Sequence, residues 1–197
     1  HASLDEIANA VAAELDKIAA DNNVTIEYDI TSGQNDQTIL KQLSDQAIAD
    51  QVDAIIPIAT TAAQISALSA EDTKTPVVYA AVSDPEAASL TGIDYVTGTS
   101  DALPVEAQLK LIRALMPDAT KIGILHTTSE TNSDATLALY KELAPNYGFE
   151  IIDKGISTGA DLPMALDALL PQVDCTTNLT DNTVVSYLAV VLEKSEE

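Results

Sequence analysis

The sequence predicts an α/β fold of two lobes, each built on a parallel β-sheet with helices on both faces. Short apolar segments of strand length alternate with segments of helical periodicity, which is typical of βαβ units. Residues 54–58 and 77–82 are continuously apolar, as expected for strands of a parallel sheet buried on both faces. The alternation occurs twice, with a polar stretch near residues 92–103 between the two copies. We therefore predict lobes at residues 1–98 and 99–197.

The first lobe opens with an amphipathic helix. Its apolar residues recur at intervals of three and four from Leu4 to Ile18, and Ser3 followed by Glu6 has the spacing of a capping box. The pattern of the rest of this lobe predicts strands over residues 24–30, 54–58 and 77–82, and helices over 36–50 and 61–70. Thr61 and Gln64 supply a second capping-box spacing, at the start of the last of these helices.

The second lobe repeats the alternation after the polar stretch. Pro104 suits the first turn of a helix that carries Val105, Leu109, Ile112 and Leu115. The pattern then predicts strands over residues 122–125, 149–152 and 173–176, and helices over 132–143, 161–170 and 184–192.

Composition excludes several classes of function. The chain has 197 residues with 31 acidic and 9 basic side chains, hence a net charge of −22, which repels nucleic-acid backbones and anionic membrane surfaces. Apolar residues make up 46%, enough for a core and too many for intrinsic disorder. The longest apolar runs have strand length, so we predict no transmembrane helix. Cys175 is the single cysteine, so no intramolecular disulfide forms and the residue is expected in the core.

Motifs of catalysis and cofactor binding are missing from the sequence. It contains no nucleophile elbow, phosphate-binding loop, dinucleotide fingerprint or metal-binding spacing. His126 follows a predicted strand, but no nucleophile or metal partner lies at a recognisable spacing, so we interpret it as a polar residue at a strand end. We predict a protein that is not an enzyme and that binds no cofactor and no metal.

The loops after the strands carry the functional information. Ligands of open parallel sheets bind at the carboxyl ends of the strands, where this chain places hydroxyls such as Thr60, Thr61 and Ser133. A helix N-terminus suits a ligand carboxylate, and acids such as Asp84, Glu130 or Asp181 suit an ammonium. Together these groups suit a zwitterion. The alternative interpretation is that each of these residues only caps a helix.

An ordered set of segments resembles the bacterial ABC-transporter substrate-binding proteins, in the group of tryptophan- and other amino-acid-binding lipoproteins. The segments include Ala80-Ala81-Val82-Ser83-Asp84-Pro85 and Ser129-Glu130-Thr131-Asn132-Ser133. The others are residues 24–28, 52–60 with 62–64, 96–101, 121–125 and 180–184. Their order and spacing match the family over nearly the whole chain.

The resemblance implies a periplasmic-binding-protein-like fold that closes by a hinge on a small ligand. Its ligand contacts would fall on twelve residues: Ser3, Thr60, Thr61, Ser83, Asp84, Ser129, Glu130, Asn132, Ser133, Asp181, Asn182 and Thr183. The expected ligand is an amino acid, with an aromatic one favoured and branched aliphatic amino acids or a short peptide left open. The expected partner is a membrane permease of an ABC importer. The expected protein is a monomer, outside the cytoplasm, as a surface lipoprotein or in the periplasm.

Relatives in this family carry an apolar strand before the segment that matches residues 1–5, and they continue well past residue 197. We therefore expect the first strand and the C-terminal portion of lobe 1, and the end of lobe 2, to be missing from this chain. Two other functions stay open. A ligand-sensing domain of a regulator or receptor has the same fold, and an enzyme on a doubly wound fold would show turnover of its ligand.

Overall fold

Two units, His1–Ser100 and Asp101–Glu197, make up the computed structural model, which describes residues 2–196. The first unit contains three helices and two strands: α1 (Ala2–Asn22), α2 (Gln37–Ala49), α3 (Thr60–Ser69), β1 (Val77–Val82) and β2 (Val96–Ser100). The second contains α4 (Val105–Leu115), β3 (Lys121–Thr127), α5 (Thr131–Leu143), β4 (Glu150–Ile156), α6 (Leu162–Leu169), β5 (Cys175–Thr177), α7 (Asn182–Ser186) and α8 (Leu188–Glu196).

The sheet of the first unit is parallel. β1 pairs with β2, and isolated bridges of Ile55 to Val77 and Ile58 to Ala80 add residues 55–58 beside β1. α3 follows that segment and packs on β1, with Ala63 and Ala67 of the helix in one core cluster with Tyr79 and Val82 of the strand. The predicted strand over residues 54–58 is thus confirmed as a bridged segment, and β1 as a full strand.

β2 was not expected, because its residues lie in the stretch interpreted as a polar crossing between lobes. Its sequence is Val-Thr-Gly-Thr-Ser and only Val96 is partly buried. An edge strand of hydroxyl side chains has no apolar signal, and backbone pairing to β1 alone defines it.

The predicted strand over residues 24–30 is wrong. The segment has no strand pairing, and Val24, Tyr28 and Ile30 are exposed, although the apolar alternation is present. A β-strand exists only when a neighbour satisfies its backbone groups. The helix predicted from the periodicity of Leu4 to Ile18 is present as α1, which runs from Ala2 to Asn22, but none of the side chains of residues 3–22 is fully buried.

The second unit has a three-stranded parallel sheet in the order β4-β3-β5. Ile122 and Ile124 of β3 face a core formed with α4, α5 and Phe149. Leu125 lies in a second core with Leu162, Leu166 and Leu169 from α6, Val184 from α7 and Val191 from α8. Alternate residues of a strand point to opposite faces, so helices cover both faces of this sheet as predicted.

Arg113, the single arginine of the sequence, joins the parts of the first of these cores. Its guanidinium donates hydrogen bonds to the carbonyl oxygens of Pro117, Ala119 and Tyr147 at 2.7–3.0 Å. Its carbon Cζ lies 3.9 Å from the centroid of the Phe149 ring. The C-terminal end of α4 is thereby fixed to the segment before β4.

The last predicted helix, over residues 184–192, is divided into α7 and α8 at Tyr187. Three short 3-10 turns, Ala144–Tyr147, Gly159–Asp161 and Leu170–Gln172, connect elements of the second unit. Within residues 2–196, no helix is both long enough and apolar enough to span a membrane.

Candidate functional site

The N-terminus of α3 is the first group of candidate residues. Thr60 is 3% exposed as a residue, and its hydroxyl, which has no hydrogen-bond partner within residues 2–196, is not one of the fully buried side-chain atoms. The N-cap is Ala59, which supplies no side-chain cap, so the first amide N–H groups of α3 have neither an intrahelical acceptor nor a side-chain acceptor. The predicted capping box of Thr61 and Gln64 is therefore wrong. Thr61 lies inside the helix, and the Gln64 amide donates to the carbonyl oxygen of Ala88 instead.

Ala59 is also strained. Its φ of 74° and ψ of 161° fall in a region that only glycine adopts readily, at a cost of about 1–3 kcal/mol for other residues. The Ala59 amide donates to the carbonyl oxygen of Ala80 at 3.0 Å, which ties the strained residue to β1. Strain of this kind persists only where surrounding contacts impose it, and it is concentrated at binding sites.

The end of β1 supplies the next two candidates, Ser83 and Asp84. Ser83 is buried. The Asp84 carboxylate accepts the amide N–H groups of Glu86 and Ala87 at 3.0 and 2.9 Å, so Asp84 caps a turn and not a helix. Parallel pairing of Ile58 with Ala80 brings this loop beside the start of α3.

Ser3 is not connected to these residues. It lies exposed within the first turn of α1, because that helix begins at Ala2, and so it is not the predicted N-cap. No hydrogen bond joins it to the α3 or β1 loops in the part of the chain that the structure describes.

In the second unit, Asp181 joins three elements. It is fully buried. Its Oδ2 accepts the amide of Thr127 at 2.6 Å and the hydroxyl of Ser133 at 2.7 Å. Its Oδ1 accepts the hydroxyl of Thr127 at 2.7 Å and the amide of Val184 at 2.9 Å. The carboxylate is fully used by β3, α5 and α7, so in this conformation it has no free acceptor for a ligand ammonium.

Glu130 forms a second centre of hydrogen bonds in the same unit, on the loop that follows β3. It is 2% exposed. Its Oε2 accepts the amide and side-chain nitrogens of Asn182 at 2.9 and 3.1 Å, and its Oε1 accepts the amide and hydroxyl of Thr183 at 3.2 and 3.3 Å. Glu130 thus precedes α5 but binds the start of α7.

Burial of Glu130 raises the pKa of its carboxyl group above the ordinary 4.5, and the nearby negative charge of Asp181 raises it further. Hydrogen bonds donated by Asn182, Asn132 and Thr183 lower this pKa, but by less. The loops carrying Glu130 and Asp181 are neighbours because β3 pairs with β5 in parallel. Two carboxylates therefore share one buried polar cluster at the carboxyl edge of the sheet.

Asn132 is the remaining polar group of the cluster. Its Nδ2 donates to the carbonyl oxygen of Thr180 at 2.8 Å and to Glu130 Oε2 at 3.3 Å. Its Oδ1 is buried and has no hydrogen-bond partner in the described residues. Ser129 lies exposed on the same loop. Of the seven candidates in this unit, six are thus in one hydrogen-bonded cluster and Ser129 lies at its surface.

The sequence interpretation missed Thr127 as part of this cluster. It is the last residue of β3, and its two donors both bind Asp181. The role of Thr127 was predictable from its position, because it is a threonine at the end of a strand next to a predicted acidic loop.

His126, the residue before Thr127, is buried as expected of a polar residue at a strand end. Its Nε2 lies 3.3 Å from Asp153 Oδ2 and its Nδ1 lies 3.6 Å from Asp134 Oδ1. Partial burial opposes ionisation of Asp153, but the Lys141 ammonium at 2.7 Å outweighs it, so the pKa of Asp153 lies below its usual value.

A family model described as ABC transporter substrate binding protein matches residues 1–197. A curated relative, the tyrosine-binding protein of Clostridioides difficile (strain R20291), is 30% identical over 202 residues, covering 100% of this chain and 58% of the relative. The chain thus spans little more than half the length of this curated relative.

Solved structures agree with the family match. The ABC domain from Streptococcus pneumonia, in complex with L-Trp, has a TM-score of 0.82 at 28% identity over 89% of this chain and 62% of the other. A ligand-free, open substrate-binding protein with adhesive properties from Clostridium difficile has a TM-score of 0.60 at 30% identity, covering 99% of this chain and 67% of the other. The predicted fold class, α/β with parallel sheets flanked by helices as in periplasmic binding proteins, is confirmed.

Proposed function

Because the chain belongs to the ABC transporter substrate-binding protein family, we propose that it is the amino-acid-binding component of an ABC importer. The ligand is an aromatic amino acid, held by residues of both units, which close on it by a hinge near residues 97–101. The relatives support this class of ligand, since one is named a tyrosine-binding protein and another was solved with L-Trp. In this proposal the lobes are residues 1–98 and 99–197.

The uncapped N-terminus of α3 is the observation that carries the proposal. Free amide N–H groups at the positive end of a ten-residue helix favour an anion. The Thr60 hydroxyl has no hydrogen-bond partner within residues 2–196, and although the residue is 3% exposed its oxygen is still accessible. A ligand carboxylate satisfies both the amides and this hydroxyl, and it accounts for the retention of a strained Ala59.

The second unit contributes negative charge to the opposite end of the ligand. Glu130 and Asp181 are both buried, and within residues 2–196 no cationic side chain pairs with either of them. Their charge attracts an ammonium group through the field of the cluster, although Asp181 itself has no free acceptor. We propose that Ser129, Asn132 and Asn182 contact the ligand, and that Asp181 and Ser133 act by holding those residues in place.

The cellular setting follows from the family. We propose that the protein works outside the cytoplasm, as a surface lipoprotein or in the periplasm, as a monomer that delivers its ligand to a membrane permease. No cofactor or catalytic step enters this function.

Isothermal titration calorimetry with L-tyrosine and L-tryptophan tests the proposal. Thr60→Val removes the hydroxyl while keeping the shape of the side chain. It is expected to weaken binding by about ten- to a hundredfold, since a hydrogen bond to a charged group contributes about 1.5–3 kcal/mol. The matched control is Thr38→Val, at an exposed threonine of α2 in the same unit, which is expected to bind like the wild type. Equal affinities of the wild type and the Thr60→Val variant would contradict the placement of the carboxylate.

A further inference from the structure

Tyr187 is a partly exposed aromatic side chain of the second unit. It lies between α7 and α8, and 43% of it is exposed. The hydroxyls of four other tyrosines donate hydrogen bonds to the protein: Tyr28, Tyr95, Tyr140 and Tyr147. Within residues 2–196 the hydroxyl of Tyr187 donates none. No polar contact in that part of the chain therefore explains where its ring lies.

Gly159 makes room for the ring of Tyr187. A Cβ atom at Gly159 would overlap the Cε2 and Cζ atoms of that ring, so the edge of the ring rests directly on the glycine backbone. The φ of Gly159 lies outside the left-handed region, and its backbone conformation is therefore open to other residues. The missing side chain instead permits the close approach of the aromatic ring.

The contact with Gly159 brings the ring to the carboxyl edge of the second sheet. Gly159 follows β4, whose last residue, Ile156, pairs with Thr127 at the end of β3. Tyr187 follows Thr183 by four residues, so the two lie on the same side of α7. Side chains of a helix lean toward its N-terminus. The ring thus lies beside the loops that carry the candidate ligand contacts of this unit.

We propose that Tyr187 is the residue that selects the ring of the ligand, an inference that rests on the proposed function. The cluster around Glu130 and Asp181 consists of carboxylates, hydroxyls and amides, which bind polar groups. An aromatic side chain of the ligand packs against the ring of Tyr187 in the offset or edge-to-face arrangement that aromatic pairs prefer. The site therefore binds aromatic amino acids more tightly than aliphatic ones.

Calorimetric titration with L-tyrosine and L-tryptophan tests this role. Tyr187→Ala is expected to weaken the binding of both about tenfold, because an aromatic pair is lost together with the area that it buries. Tyr187→Phe restores the ring and is expected to recover most of the lost affinity. The matched control is Tyr28→Ala, at a tyrosine of the first unit with a similar exposure of 40%, which is expected to bind like the wild type.

Gly159→Ala displaces the ring without removing it. The added Cβ atom overlaps Tyr187, so the ring has to move, and the affinity for L-tyrosine is expected to fall. In a protein that already carries Tyr187→Ala, the same change at Gly159 is expected to cause no further loss, because Gly159 acts on the ligand only through the ring. Equal losses in the two backgrounds would contradict this positioning.

NMR spectra of the wild type, labelled with ¹³C in its tyrosine rings, test the contact directly. L-Tryptophan is expected to shift the ring resonance of Tyr187, assigned through Tyr187→Phe, in a saturable manner. Binding that leaves this resonance unshifted, or that is equally tight in the wild type and Tyr187→Ala, overturns the role of Tyr187 while the proposed function stands. Failure of any amino acid to bind contradicts the proposed function, and the role of Tyr187 with it. The wild-type spectra alone decide this if Tyr187→Ala does not fold.

Discussion

Replacing Asp181 with asparagine perturbs the second unit at its most connected polar residue. The substitution keeps the shape of the side chain and removes one charge and one acceptor oxygen. Each carboxylate oxygen of Asp181 accepts one backbone amide and one hydroxyl: Thr127 N–H and Ser133 on Oδ2, and Val184 N–H and Thr127 on Oδ1. A hydroxyl can turn and accept from the new NH₂ group, but a backbone N–H cannot.

The loss of unfolding free energy in Asp181→Asn follows from this difference between hydroxyl and backbone N–H groups. Whichever oxygen becomes NH₂, one buried backbone N–H loses its charged acceptor and faces a donor. Losing a hydrogen bond to a charged group costs about 1.5–3 kcal/mol, and leaving the donor buried without an acceptor costs about 1–3 kcal/mol more. Removal of a negative charge beside Glu130 offsets part of this loss. We expect the free energy of unfolding of the second unit to fall by about 3 kcal/mol.

Urea unfolding followed by circular dichroism measures this change. The control is Asp118→Asn, because Asp118 is an exposed aspartate of the same unit and its variant is expected to match the wild type. A decrease smaller than about 1 kcal/mol for Asp181→Asn would show that the carboxylate is not the buried hydrogen-bond centre derived above.

Two further predictions concern the same unit. Arg113→Lys keeps the charge but loses the planar group that binds several carbonyl oxygens and stacks on Phe149. We expect the free energy of unfolding to fall by about 2–3 kcal/mol, measured by thermal unfolding. An unchanged melting temperature would refute this prediction. The pKa of Glu130 is raised in the folded state, so folding takes up a proton at this residue. The contribution of Glu130 to the free energy of unfolding is therefore fully present below pH 4.5, and it is lost as the pH rises through the pKa of the folded state. Urea unfolding at a series of pH values is expected to show this loss in the wild type and not in Glu130→Gln, and identical pH profiles would contradict it.

Much of the fold was predictable because periodicity reports burial. β3 and α5 match their predicted positions closely, since Ile122, Ile124 and Leu125 of β3 and Leu137 and Tyr140 of α5 are buried apolar side chains at the expected spacing. Residues 24–30 show the limit of this signal. The alternation of Val24, Ile26, Tyr28 and Ile30 is present, but a strand also needs a neighbouring backbone, which side-chain patterns do not reveal. β2 shows the converse, since pairing defines a strand that has almost no apolar pattern.

The candidate site was predictable in position but not in detail. Strand order brings the loops together, so Thr60 lies beside the loop of Ser83 and Asp84, and Glu130 beside Asp181. The role of each side chain depends on which donors surround it. Nothing in the sequence shows that Asp181 is saturated by Thr127, Ser133 and Val184, because those contacts are separated by up to 54 residues.

Amide chemical shifts of the N-terminal residues of α3 test the central claim most directly. In a ¹⁵N correlation spectrum, L-tyrosine is expected to shift the amides of Thr60 and Thr61 in a saturable manner. Tyramine, which has the same ring and ammonium but no carboxylate, is expected to leave these two amides unshifted. Saturable binding of L-tyrosine that leaves Thr60 and Thr61 unshifted, or equal shifts with tyramine, would contradict the account.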